Sequence, residues 1–155
     1  MIGLRRTLFV AACCSAALLL SSCLEVFGLE DSDVTVSLAM RRNWESPPIL
    51  HVYIEGSRPI ALAGQRDGNR VERRVAPRLG ARFVVLRLLS SDGDTLASTE
   101  YSQSFKRGSA HWVALVVGQD RPIGHCIGTL LAIPTSLEAD TAFVMYGGLP
   151  HGAIC

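Results

Sequence analysis

Apolar side chains recur at every second position along most of this chain. Val34, Val36, Leu38 and Met40 alternate with Thr35, Ser37, Ala39 and Arg41. Leu50, Val52 and Ile54 repeat the pattern within residues 49–55. A period of two puts alternate side chains on opposite faces of an extended strand, whereas a helix needs a period near 3.6. No stretch beyond residue 32 sustains a helical period, and no internal repeat is visible. The chain is therefore read as all-β.

Turn residues divide it further. Pro47-Pro48, Gly56-Ser57-Arg58-Pro59, Asp67-Gly68-Asn69, Ser91-Asp92-Gly93-Asp94 and Lys106-Arg107-Gly108-Ser109 punctuate the apolar runs. Strands are expected at residues 33–41, 49–55, 70–76, 81–90, 95–105, 111–118 and 141–146, with weaker ones at 60–63 and 125–134. The run Phe83-Val84-Val85-Leu86-Arg87-Leu88-Leu89 reads as a central strand covered on both faces. Thr135 to Asp140 has room for one helical turn, and Gly147-Gly148-Leu149-Pro150 reads as the end of the last strand. Seven to nine short strands at this spacing predict an antiparallel β-sandwich of immunoglobulin-like or transthyretin-like kind over residues 33–155. A small β-barrel is the alternative.

The first 22 residues are of a different kind. Arg5 and Arg6 precede an uncharged apolar and small-residue run, Thr7 to Leu20, followed by Leu20-Ser21-Ser22-Cys23. The run is short for a helix across a bilayer, which needs about 20 apolar residues. A basic start, an apolar stretch and small residues at a cut site describe a signal peptide. The aliphatic–small–small–Cys sequence resembles the lipobox of bacterial lipoprotein precursors, where signal peptidase II cuts before the cysteine. Val10-Ala11-Ala12-Cys13 fits more loosely and leaves too short an apolar run. The alternatives are an ordinary secretory peptide cut near Ser22 and a membrane-spanning anchor.

The resemblance implies removal of residues 1–22 and acylation of Cys23, including palmitate-type chains, with residues 23–32 as a tether. Membrane lipid, reached through the acylated Cys23, is then the first partner. Each buried CH₂ contributes about 0.8 kcal/mol, and two or more chains hold stably. Leu24 follows the lipidated position where an Asp would retain a lipoprotein in the inner membrane of many enteric-type bacteria, so the outer membrane is the expected location.

Removing residues 1–22 leaves thirteen basic and fourteen acidic side chains, a net of −1 in place of the precursor's +1. This balance gives no general attraction to nucleic acid. Five cysteines are present. Cys13 and Cys14 leave with the signal peptide and Cys23 takes lipid, so Cys126 and Cys155 remain in an oxidising compartment. A disulfide is the expectation. It would close a loop of about 30 residues and stabilise by about 3–4 kcal/mol in the chain-entropy account. The alternative use of the same region is a metal site from His125, Cys126, His151 and Cys155. Against it, His125 and Cys126 are neighbours, and in a strand they point to opposite faces.

Arg66, Arg70, Arg73, Arg74, Arg78, Arg82 and Arg87 share a span that holds only Asp67 and Glu72 as acids. Such a run suits phosphate or carboxylate recognition, and Arg66, Arg70, Arg73, Arg74 and Arg78 are the candidate anion contacts. It also serves a solvated edge that resists strand pairing with other molecules. Within a strand, Arg73 falls on the face of Val71 and Val75, opposite Glu72 and Arg74. The acidic turns at Asp67 and at Asp92 and Asp94 offer too few oxygens for calcium, which needs six to eight. Trp44, Tyr53, Tyr101, Trp112 and Tyr146 are candidates for stacking on sugars if exposed. No nucleophile elbow, HExxH, phosphate loop or dinucleotide fingerprint occurs. The reading that follows is a non-catalytic structural or interaction protein of the bacterial envelope, with no cofactor implied and no oligomeric state specified. The alternative is a module for envelope glycans or anionic polymers, and a small metal-dependent hydrolase ranks behind both.

Overall fold

The computed structural model describes residues 33–118, 128–137 and 140–150. Nine strands follow in order: β1 (Asp33–Met40), β2 (Ile49–Ile54), β3 (Ile60–Ala63), β4 (Val71–Val75), β5 (Gly80–Leu89), β6 (Thr95–Phe105), β7 (Ser109–Val117), β8 (Thr129–Pro134) and β9 (Thr141–Pro150). They form a five-stranded sheet in the order β4-β1-β7-β9-β8 and a four-stranded sheet in the order β3-β2-β5-β6. Neither sheet closes on itself, so the fold is a sandwich rather than a barrel.

The period-two pattern builds the layer between the sheets. Val34, Val36, Leu38 and Met40 of β1 point inward, as do Leu50, Val52 and Ile54 of β2 and Val84, Leu86 and Leu88 of β5. Val113, Leu115 and Val117 of β7 and Ala142 and Val144 of β9 complete one continuous apolar cluster. A fully buried aliphatic side chain of this kind contributes about 1.5–3 kcal/mol. One pair departs from antiparallel order. β1 runs parallel to β7 over eight register positions, from Asp33 beside Ala110 to Met40 beside Val117. Its other edge pairs antiparallel with β4.

Three details differ from the sequence reading. β5 is buried on one face only. Val84, Leu86 and Leu88 are inside, while Phe83 and Arg87 are exposed and Val85 is half-buried. The outer neighbours of β5 on β6 are Ser98, Glu100 and Ser102, which form a solvated surface. The stretch from Thr135 to Asp140 makes a turn instead of a helix among its described residues. The Asp140 N–H donates to the Leu137 carbonyl, and the Thr135 hydroxyl donates to the Asp140 carbonyl.

The last strand does not end at Gly147. β9 continues to Pro150, pairing Gly147 with Trp112 and Gly148 with His111. Gly148 is needed for packing. His111 is buried, stacks edge-on against Phe105 and accepts a hydrogen bond at Nε2 from the Lys106 N–H (2.8 Å). A Cβ on Gly148 would fall inside the His111 imidazole. Gly148→Ala is therefore expected to lower the urea midpoint, by about 1–3 kcal/mol of stability. The same change made in a His111→Ala background should cost much less, because the clashing ring is gone.

Candidate functional site

The sandwich has two open sides where the edges of its sheets approach each other. On one, β3 of the four-stranded sheet faces β4 of the five-stranded sheet. The β2–β3 connection turns tightly there. The Ser57 N–H donates to the Ile54 carbonyl (2.9 Å), and Gly56 takes φ +76°, a left-handed value that favours glycine. This turn delivers Arg58 and Pro59 to the seam. β4 delivers Arg73, and the segment after β4 delivers Arg78.

Arg73 reaches the seam through strand alternation. Val71, Arg73 and Val75 pair with Leu38, Val36 and Val34, all of which face the core. Arg73 thus sits on the inward face of an edge strand, where its long stem can run over apolar surface and its guanidinium emerge into water. The result is a cleft of about 510 Å³ with an apolar floor that includes Pro59, Ile60 and Val75 and a rim of Arg58, Arg73 and Arg78. Among the described residues, none of these three guanidiniums has a carboxylate partner; the ion pairs are Arg42 with Asp140 and Arg70 with Glu72. Ser57 also lines the cleft, and its hydroxyl is shielded from solvent without a hydrogen-bond partner. Guanidinium groups bind phosphate, sulfate or carboxylate through paired N–H donors. The lining has no carboxylate, imidazole or thiol to act as a general base or nucleophile.

The other arginines of the sequence run are placed elsewhere. Arg70 is engaged by Glu72. Arg74 lies on the opposite face of β4 from Arg73, and Arg66 is in the β3–β4 loop, where its carbonyl accepts the Trp44 N–H. Arg82 donates to the carbonyls of Arg78 and Leu79, which fixes the backbone that carries Arg78. Arg87 is on the outer face of β5, beside His51. Arg58 lies outside the run and was missed. Its signal was its place between Gly56 and Pro59, which marks a turn able to carry a charge to an edge.

The remaining candidates divide sharply. Cys23, His125, Cys126, His151 and Cys155 lie outside the described residues. Among the described residues, no three His, Cys, Asp or Glu side chains are grouped to hold a metal ion. The Asp67 carboxylate is engaged within its own turn, accepting the Asn69 N–H, and the Asp92 and Asp94 turn is held by their N–H groups donating to the Ser90 hydroxyl. Trp44 lies under the Arg42 guanidinium, which also pairs with Asp140 and ties the β1–β2 connection to the start of β9. Trp112 is half-buried with its indole N–H enclosed. Tyr101 and Tyr146 stack on each other, ring centroids 3.9 Å apart, and are half-buried at the other seam of the sandwich. Only Tyr53 of the five aromatics is exposed.

No protein-family model matches the chain, and no curated protein or solved structure is significantly similar to it.

Burial, with the neighbouring Tyr146 adding to it, pushes the Tyr101 phenol far above its ordinary range. The folded protein thus holds this group neutral at a pH where an unfolded tyrosine, near 10, has lost its proton. The unfolded state then binds fewer protons than the folded one, so stability is present below about pH 10 and declines as pH rises beyond it. The Tyr101 hydroxyl also lacks a hydrogen-bond partner. Tyr101→Phe is expected to match or exceed the parent protein in urea unfolding at pH 7, and to lose less stability between pH 9.5 and 11.5.

Proposed function

We propose that this chain is a lipid-anchored protein of the bacterial envelope whose sandwich domain holds anionic groups of an envelope partner in the cleft of Arg58, Arg73 and Arg78. The single observation that carries the binding role is the convergence of three guanidiniums, from three separate segments and without carboxylate partners, over the unpartnered Ser57 hydroxyl. The one hydroxyl of the lining, Ser57, has no carboxylate or imidazole of the lining beside it to serve as its base, which favours binding over catalysis. The anchor rests on Leu20-Ser21-Ser22-Cys23 and the apolar run before it. Leu24 favours the outer membrane, and an oxidising compartment favours a disulfide between Cys126 and Cys155.

A second mode of interaction is favoured by β8. This edge strand of the five-stranded sheet has no charged residue from Thr129 to Pro134, and Leu130 is exposed. β4, at the opposite edge, carries Glu72, Arg73 and Arg74 in succession. Charges of that kind discourage strand addition, and their absence from β8 permits a protein partner to pair there.

Two measurements test the proposal. Mass spectrometry of non-reduced peptides, from protein extracted from its native membrane, should show acylated Cys23 and a crosslink between Cys126 and Cys155. An intact, unacylated Cys23 would remove the anchor. Binding to lipopolysaccharide and to polyphosphate should weaken about tenfold or more in the Arg73→Ala, Arg78→Ala variant, with a shallower salt dependence. Arg74→Ala, on the opposite face of β4, should bind like the parent. Equal loss in both variants would mean diffuse charge rather than a cleft.

A further inference from the structure

The arginine cleft does not end at its own rim. Pro59 forms one wall of it and also one wall of a second concavity of about 380 Å³, lined by His51, Val52, Tyr53, Val85 and Arg87. The second concavity lies on the outer face of the four-stranded sheet. β2 and β5 pair there, with His51 beside Arg87 and Tyr53 beside Val85. The Glu55 N–H donates to the Phe83 carbonyl (2.9 Å), which places Phe83 one rung beyond the Tyr53 and Val85 pair. Tyr53 is 44% exposed and Phe83 42%, and they are two of the three large exposed hydrophobic residues among those described. A flat aromatic and aliphatic surface thus adjoins, across one proline ring, three guanidiniums without a carboxylate partner among the described residues.

Resting on the anion-binding role proposed above, we infer that the ligand is an acidic saccharide. A charged substituent lies among Arg58, Arg73 and Arg78, and a sugar ring lies on Tyr53 and Val85 with Arg87 and His51 at its edge.

Three features select this chemistry. First, β2 and β5 are both interior strands of their sheet, flanked by β3 and β6. Their backbone groups are committed to the ladders, so no extended peptide can add to them as a strand. Recognition at Tyr53 must use side chains. Second, those side chains are ring surfaces bordered by hydrogen-bonding groups. The C–H face of a pyranose covers the former, and its hydroxyl and carboxylate oxygens reach Arg87 and His51. A ring with one apolar end and one polar end serves such mixed surfaces. Third, carboxylates flank the apolar surface itself: Glu100 stands beside Val85 on β6, and Glu55 accepts the Phe83 N–H through its carboxylate. The guanidiniums of Arg58, Arg73 and Arg78 lie in the adjoining cleft, so an anionic substituent is favoured there rather than over Val85. A plain acyl chain fits poorly, because charged side chains interrupt the apolar surface on both sides.

The test compares acidic saccharides with anions that are not saccharides and with a neutral saccharide. Galacturonic acid tetramer, a heparin tetrasaccharide, linear polyphosphate, hexaglutamate and neutral maltotetraose are titrated calorimetrically into the full-length processed protein. The acidic saccharides are expected to bind more tightly than polyphosphate or hexaglutamate, and maltotetraose more weakly than either saccharide. Tyr53→Ala should weaken the acidic saccharides by about three- to tenfold and leave polyphosphate unchanged, while Tyr53→Phe should retain parent affinity. Arg73→Ala should weaken every anion. Tyr53 is exposed, so its substitution leaves the core intact. If Tyr53→Ala spares the saccharides while Arg73→Ala still weakens all anions, the saccharide inference falls and the cleft stands. If hexaglutamate equals the saccharides and shares their Tyr53 dependence, the partner is an acidic protein segment and the inference falls. If no anion binds, or Arg73→Ala has no effect, both this inference and the cleft itself fail.

Discussion

The structure depends on burying one face of each of two sheets against the other. Every long strand commits alternate residues to that layer: Val34, Val36 and Leu38 from β1, Val84, Leu86 and Leu88 from β5, Val113 and Leu115 from β7. Because the side-chain period is two, a one-residue slip would turn each set to water, so the register is strongly specified. The layer also decides where function can sit. Inward positions on central strands are filled by aliphatic side chains, with the buried His111 of β7 as the exception. Only at the ends of the layer, where β3 meets β4 and β6 meets β8 and β9, can an inward position carry a polar residue to the surface.

The two open sides solve this differently. On one, Tyr101 and Tyr146 stack, and Gln103 turns inward to donate to the Gly147 carbonyl (2.9 Å). Aromatic rings and an amide close that side. On the other, the inward position of β4 is Arg73, and the chain adds Arg58 and Arg78 beside it. The same architectural gap is a packed seam in one place and a charged cleft in the other. The difference comes from a handful of side chains at equivalent topological positions.

Much of the sandwich was legible in the sequence because alternation is a local signal. The boundaries of β6 at Thr95 and Phe105 and of β3 at Ile60 and Ala63 follow from flanking turn residues. What was not legible depended on partners distant in sequence. Phe83 and Val85 sit in an apolar run, and nothing local says that the outer face of β5 is flanked by Ser98, Glu100 and Ser102 on one side and His51 and Tyr53 on the other, with no layer over it. Gly147 and Gly148 look like a stop, yet both continue the strand and the His111 ring requires a glycine at 148. The parallel pairing of β1 and β7 joins residues more than seventy positions apart and leaves no mark on either strand. The candidate site was legible in part for the same reason. Alternation separated Arg73 from Arg74, while convergence with Arg58 required the fold. Composition gave the arginines but not the side of the sandwich on which they gather.

The position of β1 has a mechanical meaning. It is the first of the described strands, so a pull applied to the chain at Asp33 acts along it. β1 is held on both edges, by β4 over residues 34–38 and by β7 along its whole length. A force along its axis therefore acts on two hydrogen-bond ladders side by side, and many bonds must yield together before the strand can slide. An edge strand pulled the same way would load one ladder instead of two, and bonds open one after another, like a zip, only when the pull runs across the strands. The seam that carries Arg73 hangs on this doubly paired strand.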